Sequence, residues 1–327
     1  PFQKMLIDEM KDIDDAVYTH HTGNVIHALN TESKVKIMLL AHIDEIGLII
    51  KDVESNGILK LTSIGGIRPY MYLGQHVNVI HYNDNCEVTY IPGVIGSTPN
   101  MNSANLKVDD LNLDLGFKDK EEALKKIKIG DVVIHRNYTT RLENDLLASK
   151  ALDDKIGAFI CTEVLREVKN KTKNGVYFAA TVGEETTGRG AKVAVAEVNP
   201  SIALDVGSSG DVHYRDGLNH NISLGSGPIL TIASHANQRV TKILKEEAEK
   251  LSINLQTSIE IEKTYTDMDS VYDKNGGIPS QLISIPLRYM HSSVEVCSLK
   301  DVENIINLLV AFIMAVTEKT SFNPFEQ

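Results

Sequence analysis

The sequence predicts an α/β protein: a mostly parallel central sheet with helices on both faces, carrying an inserted small β-rich, barrel-like domain. Three observations support this. From Ser149 onward, apolar runs of strand length alternate with runs of helical spacing, the order that builds βαβ units. Between residue 65 and Thr140 the texture changes to short strands cut by Gly, Pro and Asn turns, as in small closed sheets. The 327 residues are 42% hydrophobic, enough to build a sizeable core. That length corresponds to about two domains.

In chain order, residues 36–41 (KIMLLA) and 46–53 (IGLIIKDV) read as adjacent buried strands, and Ser63-Ile64-Gly65-Gly66 marks a break. Residues 76–81, 87–91 and 131–135 are short strands of the β-rich segment, interrupted by a helical run over 120–128. Residues 156–168 have helical spacing, 175–182 (GVYFAATV) are a buried strand, and 190–198 a helix. A strand over 202–206, an amphipathic helix over 238–251, a strand over 281–286 and a closing helix over 302–316 complete the pattern. The simplest assembly is a discontinuous α/β domain from residues 1–64 and 146–327, with 65–145 as the insertion.

Lys and Arg number 33 against 44 Asp and Glu, a net charge of −11. This argues against a nucleic-acid partner, which needs a basic face, and fits a soluble, cytoplasmic protein. Cys86, Cys161 and Cys297 form no CxxC pair, so neither a disulfide framework nor a thiolate zinc site is expected. Cys161 reads as core. The longest apolar stretch, residues 305–316, is too short to span a bilayer, so no membrane partner is expected. No signal peptide is visible after Pro1, and the absence of an initiator Met there suggests trimming.

The chemistry lies in where acids and histidines fall. His42 and Asp44 (AHIDEIG), Asp153 and Asp154 (ALDDKIG), Glu184 and Glu185 (TVGEETTG), Asp205 (ALDVG) and His291 (PLRYMHSSVE) follow or end apolar segments. In open α/β sheets the carboxyl ends of strands form the ligand crevice. Two His with several carboxylates suit zinc, cobalt or manganese. Without a cation such a crowd of acids repels itself. Each piece also has a plainer reading. A lone His after a strand is commonly a hydrogen-bonded structural residue, Asp44 can form a turn, and Asp153-Asp154 can cap a helix. Glu184-Glu185 after FAATVG is harder to explain that way, because adjacent buried charges cost stability without compensation. His20, His21, His27, His76, His81, His135, His213 and His220 read as structural or surface residues. His235, just before a helix, reads as a cap neighbour or a lining residue of a substrate pocket. The acidic cluster from Asp109 to Asp114 reads as a solvated turn. No P-loop, GxSxG or Rossmann fingerprint is present.

The ordered set HxD, DD, EE, D and a late His resembles that of cocatalytic metallo-aminopeptidases. The strings HHTGNVI, LLAHIDEIGLII, SIGG, GVIGSTP, SKALDDKIG, TVGEETTGRGA, ALDVG and IPLRYMHSSVEV resemble the glutamyl and deblocking aminopeptidase family over residues 22–316. That family includes tetrahedral dodecameric peptidases and some members described as endoglucanases. The resemblance implies two divalent ions per subunit, zinc or else cobalt or manganese. His42, Asp153, Glu185, Asp205 and His291 are then ligands, with Asp153 bridging. Glu184 is the general base, and Asp44 orients His42. Peptides are the implied substrates, and the β-rich insertion is implied to make dimers that assemble to a dodecamer. Departures include Ser208-Ser209-Gly210 after Asp205-Val206-Gly207, Lys155 where Arg is frequent, and Thr187-Gly188-Arg189; none touches an implied ligand. The rival expectations are a two-carboxylate glycoside hydrolase, which needs neither His42 nor His291, and a non-catalytic assembly protein on the same fold.

Overall fold

A computed structural model describes residues 2–96, 105–211 and 221–326. Residues 97–99 of the GVIGSTP string, and His213 and His220, lie outside the described residues. Helix α1 (Phe2–Met10) precedes β1 (Ala16–Thr19), β2 (Val25–Leu29) and β3 (Lys36–His42). Then come β4 (Gly47–Val53), β5 (Leu59–Ile64), β6 (Gln75–Tyr82), β7 (Val88–Gly96), β8 (Asn112–Asp114), α2 (Lys120–Leu124) and β9 (Val132–His135). β10 (Thr140–Arg141) and β11 (Leu146–Ser149) lead to α3 (Leu152–Val168), β12 (Gly175–Thr181), α4 (Arg189–Val198) and β13 (Ile202–Gly210). The remainder is β14 (Ile229–Ile232), α5 (Gln238–Lys250), β15 (Gln256–Ile259), α6 (Met268–Val271), β16 (Ser280–Leu287), β17 (Glu295–Ser298) and α7 (Leu299–Ala315).

The large sheet has the order β1-β2-β12-β3-β13-β16-β14-β15, and its centre, β12-β3-β13-β16, is parallel. A parallel sheet needs cover on both faces, and every residue of β12 and β16 is buried. Successive strand side chains point to opposite faces. Leu39 and Phe178 accordingly pack with Ile160, Leu165, Leu309 and Phe312 on one face. Met38, Leu40 and Ala179 pack with Ala191, Val195 and Val271 on the other. Cys161 and Cys297 are buried and Cys86 is exposed. Among the described residues no helix is long and apolar enough to cross a membrane.

The second unit is a closed antiparallel barrel, β4-β5-β8-β7-β6-β9, around Leu48, Ile50, Leu61, Val77, Val79 and Val133. Here the structure corrects the strand reading. Residues 46–53 do not lie beside 36–41: β3 is flanked by β12 and β13, and β4 opens the barrel. The barrel therefore starts at Gly47 and includes β5, upstream of the residue-65 boundary expected from texture. An apolar run looks the same in a barrel and in a parallel sheet. The available signal was Lys51-Asp52, exposed on β4, whereas β3 is buried from Ile37 to His42. A third, small sheet, β10-β11-β17, joins the barrel exit to the late His segment.

Helix α3 lies tightly on β13. A methyl group on Gly157 would come within 2.5 Å of both Asp154 carboxylate oxygens and of the Val206 carbonyl. Gly157→Ala is therefore expected to destabilise the fold by about 1–3 kcal/mol. Thermal or denaturant melting checks this; an unchanged midpoint would contradict the close approach.

Candidate metal centre

Parallel strands β3 and β12 end in register, with His42 opposite Thr181, so the segments that follow them emerge side by side. The first brings Asp44 and the second Glu184 and Glu185. Asp205 lies within β13 and not beyond its end, because that strand continues to Gly210 alongside β16. His291 sits in the turn between β16 and β17, and Asp153 in the first turn of α3. The helix-cap reading of Asp153-Asp154 fails: the N-cap is Ala151, and both Asp residues have non-helical backbone angles.

His42, Asp153, Glu184, Glu185, Asp205 and His291 line one cleft of about 230 Å³. Asp153 is its pivot: Oδ1 lies 3.5 Å from His42 Nε2, and Oδ2 lies 3.3 Å from His291 Nε2. Glu185 Oε2 is 3.3 Å from the same His291 nitrogen, and Glu184 Oε2 is 3.7 Å from His42 Nε2. Donor atoms of His42, Asp153 and Glu185 all lie within 4.8 Å of one another. Asp205 Oδ2 accepts a 2.8 Å bond from the Met268 backbone N–H.

Two carboxylates behind the cleft grip backbone. Asp44 sits 3.6 Å from His42 Nδ1, and its two oxygens also accept the N–H groups of Glu184 and Glu185, each at 3.3 Å. It thus holds the glutamate pair as well as facing the imidazole. Glu295 accepts from the N–H groups of Asp153 at 3.0 Å and His291 at 2.8 Å.

Burial and mutual repulsion perturb the acids of the cleft strongly. Burial pushes the Glu184 carboxyl up to about 9, with the charges of Asp267, Asp153 and Glu185 adding to it against His42. Burial likewise raises Asp154 and Asp205, and brings Asp267 to about 7 and Glu295 to about 8. Burial also favours a neutral Asp153 carboxyl, but the hydrogen bonds to His291 and His42 outweigh it and hold the group well below its usual range. The same contacts overcome burial to raise His42 well above its usual value and His291 to about 10. Asp154 is fully buried, and neither carboxylate oxygen has a hydrogen-bond partner among the described residues. Imidazole and carboxylate donors this close, with this much unbalanced acid, fit a divalent cation, which displaces protons when it binds.

The remaining residues fall elsewhere. His235 does not line the cleft; its Nε2 lies 3.1 Å from Asp269 and its ring packs on Tyr272. Asp269 in turn accepts from the backbone of Thr264 and Tyr265, which do line it. His235 thus reaches the cleft lining through Asp269, 34 residues downstream in the sequence. His27 is buried against Asp14, His81 pairs with Asp131, and His135 stacks on Tyr72, all structural. Asp109 is exposed and pairs with Lys51. Sequence reasoning missed Asp267 and Glu295. The second had a signal, a lone acid within the apolar string VEVC. Gly66 of SIGG also meets the site: a Cβ there would lie 3.3 Å from His291 Nδ1.

Known proteins are similar to this chain over nearly its whole length. A putative aminopeptidase of Acetivibrio thermocellus is 33% identical, over 94% of this chain and 91% of its own. A lysyl aminopeptidase of Pyrococcus furiosus is 30% identical, over 94% and 90%. The TET1 peptidase of Pyrococcus horikoshii, described as assembling into a tetrahedron or a large octahedral shell, superposes with a TM-score of 0.84 at 28% identity, over 96% of this chain and 93% of that one. The model of one family, the M42 glutamyl aminopeptidases, matches residues 23–308, and the chain belongs to that family.

Proposed function

We propose that this aminopeptidase works with two divalent ions and uses Glu184 as its general base. The observation that supports this reading best is Asp153, whose two oxygens face different imidazoles. One ion would be held by His42, Asp153 and Asp205, the other by Asp153, Glu185 and His291. Divalent ions bound there supply a Lewis acid for the peptide carbonyl and lower the pKa of water. Glu184 Oε2, beside His42 at the cleft wall, takes the proton from the attacking water and passes it to the departing amine. Asp44 fixes the backbone from which Glu184 and Glu185 project, and so sets the distance between base and ligand. The polar wall of Ser208, Ser209, Thr231 and Ser258 receives the first residue of the peptide.

We also assign the barrel to self-association. Its strand β7 exposes Val88, Tyr90 and Val94 at alternate positions, an apolar stripe consistent with a second copy. A homo-oligomer agrees with the assembly named for the Pyrococcus horikoshii relative. A soluble, cytoplasmic site of action completes the reading.

The test is a panel of aminoacyl-p-nitroanilides, assayed with chelator, without it, and after adding back zinc, cobalt or manganese. Chelation is expected to remove activity and one of these metals to restore it. Full activity in chelator, or no cleavage of any substrate with every metal supplied, would refute the proposal. A glucan hydrolysed in the presence of chelator would transfer the site to the glycosidase reading.

A further inference from the structure

Neither Asp153 nor His291 lies in a strand of the large sheet. Asp153 follows the small-sheet strand β11, and His291 lies in the turn before β17. Both segments carry a non-glycine residue in the left-handed region, Ala151 at φ 51° and His291 at φ 62°. Such conformations persist only where the surrounding structure over-determines them. The two segments meet at one side chain. Glu295 opens β17 directly opposite Ser149, the last residue of β11, so it lies four residues from His291 along the chain and across the ladder from the approach to Asp153. Its side chain is 2% exposed, and its oxygens divide between the segments: Oε2 accepts the Asp153 N–H at 3.0 Å and Oε1 the His291 N–H at 2.8 Å.

We infer that Glu295 is a positioning residue of the metal centre, holding Asp153 and His291 in mutual register by accepting both of their backbone N–H groups. The inference rests on the two-metal reading above. Glu295 touches no substrate. It sets the separation between the Asp153 carboxylate and the His291 imidazole, and therefore the fit of the site around an ion. The complementary clamp is Asp44, half-buried, which grips Glu184 and Glu185 in the same two-handed way, so four of the cleft residues hang from two acids.

The test is metal affinity, read by competition against a chromogenic chelator with zinc, cobalt and manganese separately, on the full chain and on Glu295→Gln. Glutamine keeps the volume and one acceptor, but turns an NH2 group towards the other N–H. Positioning by an outer partner is worth 10–100-fold in affinity, so the dissociation constant is expected to rise by about that factor. The midpoint of metal reactivation of the peptidase should move with it. The metal-free variant should melt within a few degrees of the metal-free parent. A shift in affinity of less than about tenfold overturns the inference. So does a metal-free variant that is unfolded or melts more than about 10 °C below the parent, because Glu295 is then part of the general framework. If the parent itself binds none of the three metals, the two-metal reading fails instead.

Discussion

Glu184→Gln is expected to lower kcat by about 10²–10⁴-fold, the usual worth of a positioned general base, while bound metal stays at the parent's level. The expectation comes from where the side chain stands. Its Oε2 lies 3.7 Å from His42 Nε2, whereas Glu185 Oε2 is 3.3 Å from His291 and belongs to the compact donor group. Glu184 also sits among acids that, with burial, hold its carboxyl near 9. Glutamine removes the proton-accepting carboxylate without changing the size of the side chain. Elemental analysis beside steady-state kinetics decides the matter. Metal lost in step with activity would make Glu184 a ligand and leave the base unassigned.

Asp153→Asn should do the reverse. The parent carboxylate offers one oxygen to each imidazole, and an amide offers one oxygen and a donor that repels cations. Both ions are expected to weaken together, and kcat/KM to fall by about 10³-fold or more, since even 4 kcal/mol of lost transition-state stabilisation is worth nearly that. Glu185→Gln and Asp205→Asn each alter only one proposed ion site and should spare the other. Metal titration by calorimetry separates these patterns. An Asp153→Asn protein that retains its full metal complement would show that Asp153 does not bridge.

The acids and histidines were legible because chemistry at strand ends leaves a local mark: a charged residue directly after an apolar run has few structural reasons to be there. AHIDE and TVGEE both carry that mark, and the register of β3 with β12 brings them together. The supports were not legible. Asp267 accepts from Thr181 across 86 residues, and Glu295 reaches Asp153 across 142. Nothing local to TYTDMDS or SSVEV says which backbone those carboxylates will meet. The start of the barrel was misplaced for a related reason. Hydrophobic periodicity reports that a strand is buried, not in which sheet, and only the exposed Lys51-Asp52 pair set β4 apart from β3.

The chain enters the barrel by a short link, from Asp44 to Gly47, but leaves it by a longer route, from His135 through β10 and β11 of the small sheet to Asp153. Glu45, in the first link, pairs with Lys150 and Lys155, on either side of Asp153. The way into the appended unit and the way out of it are thus tied together beside the metal-site residues, so a graft of another small domain at this point would have to keep the Glu45 tie and the small sheet as well as the links themselves.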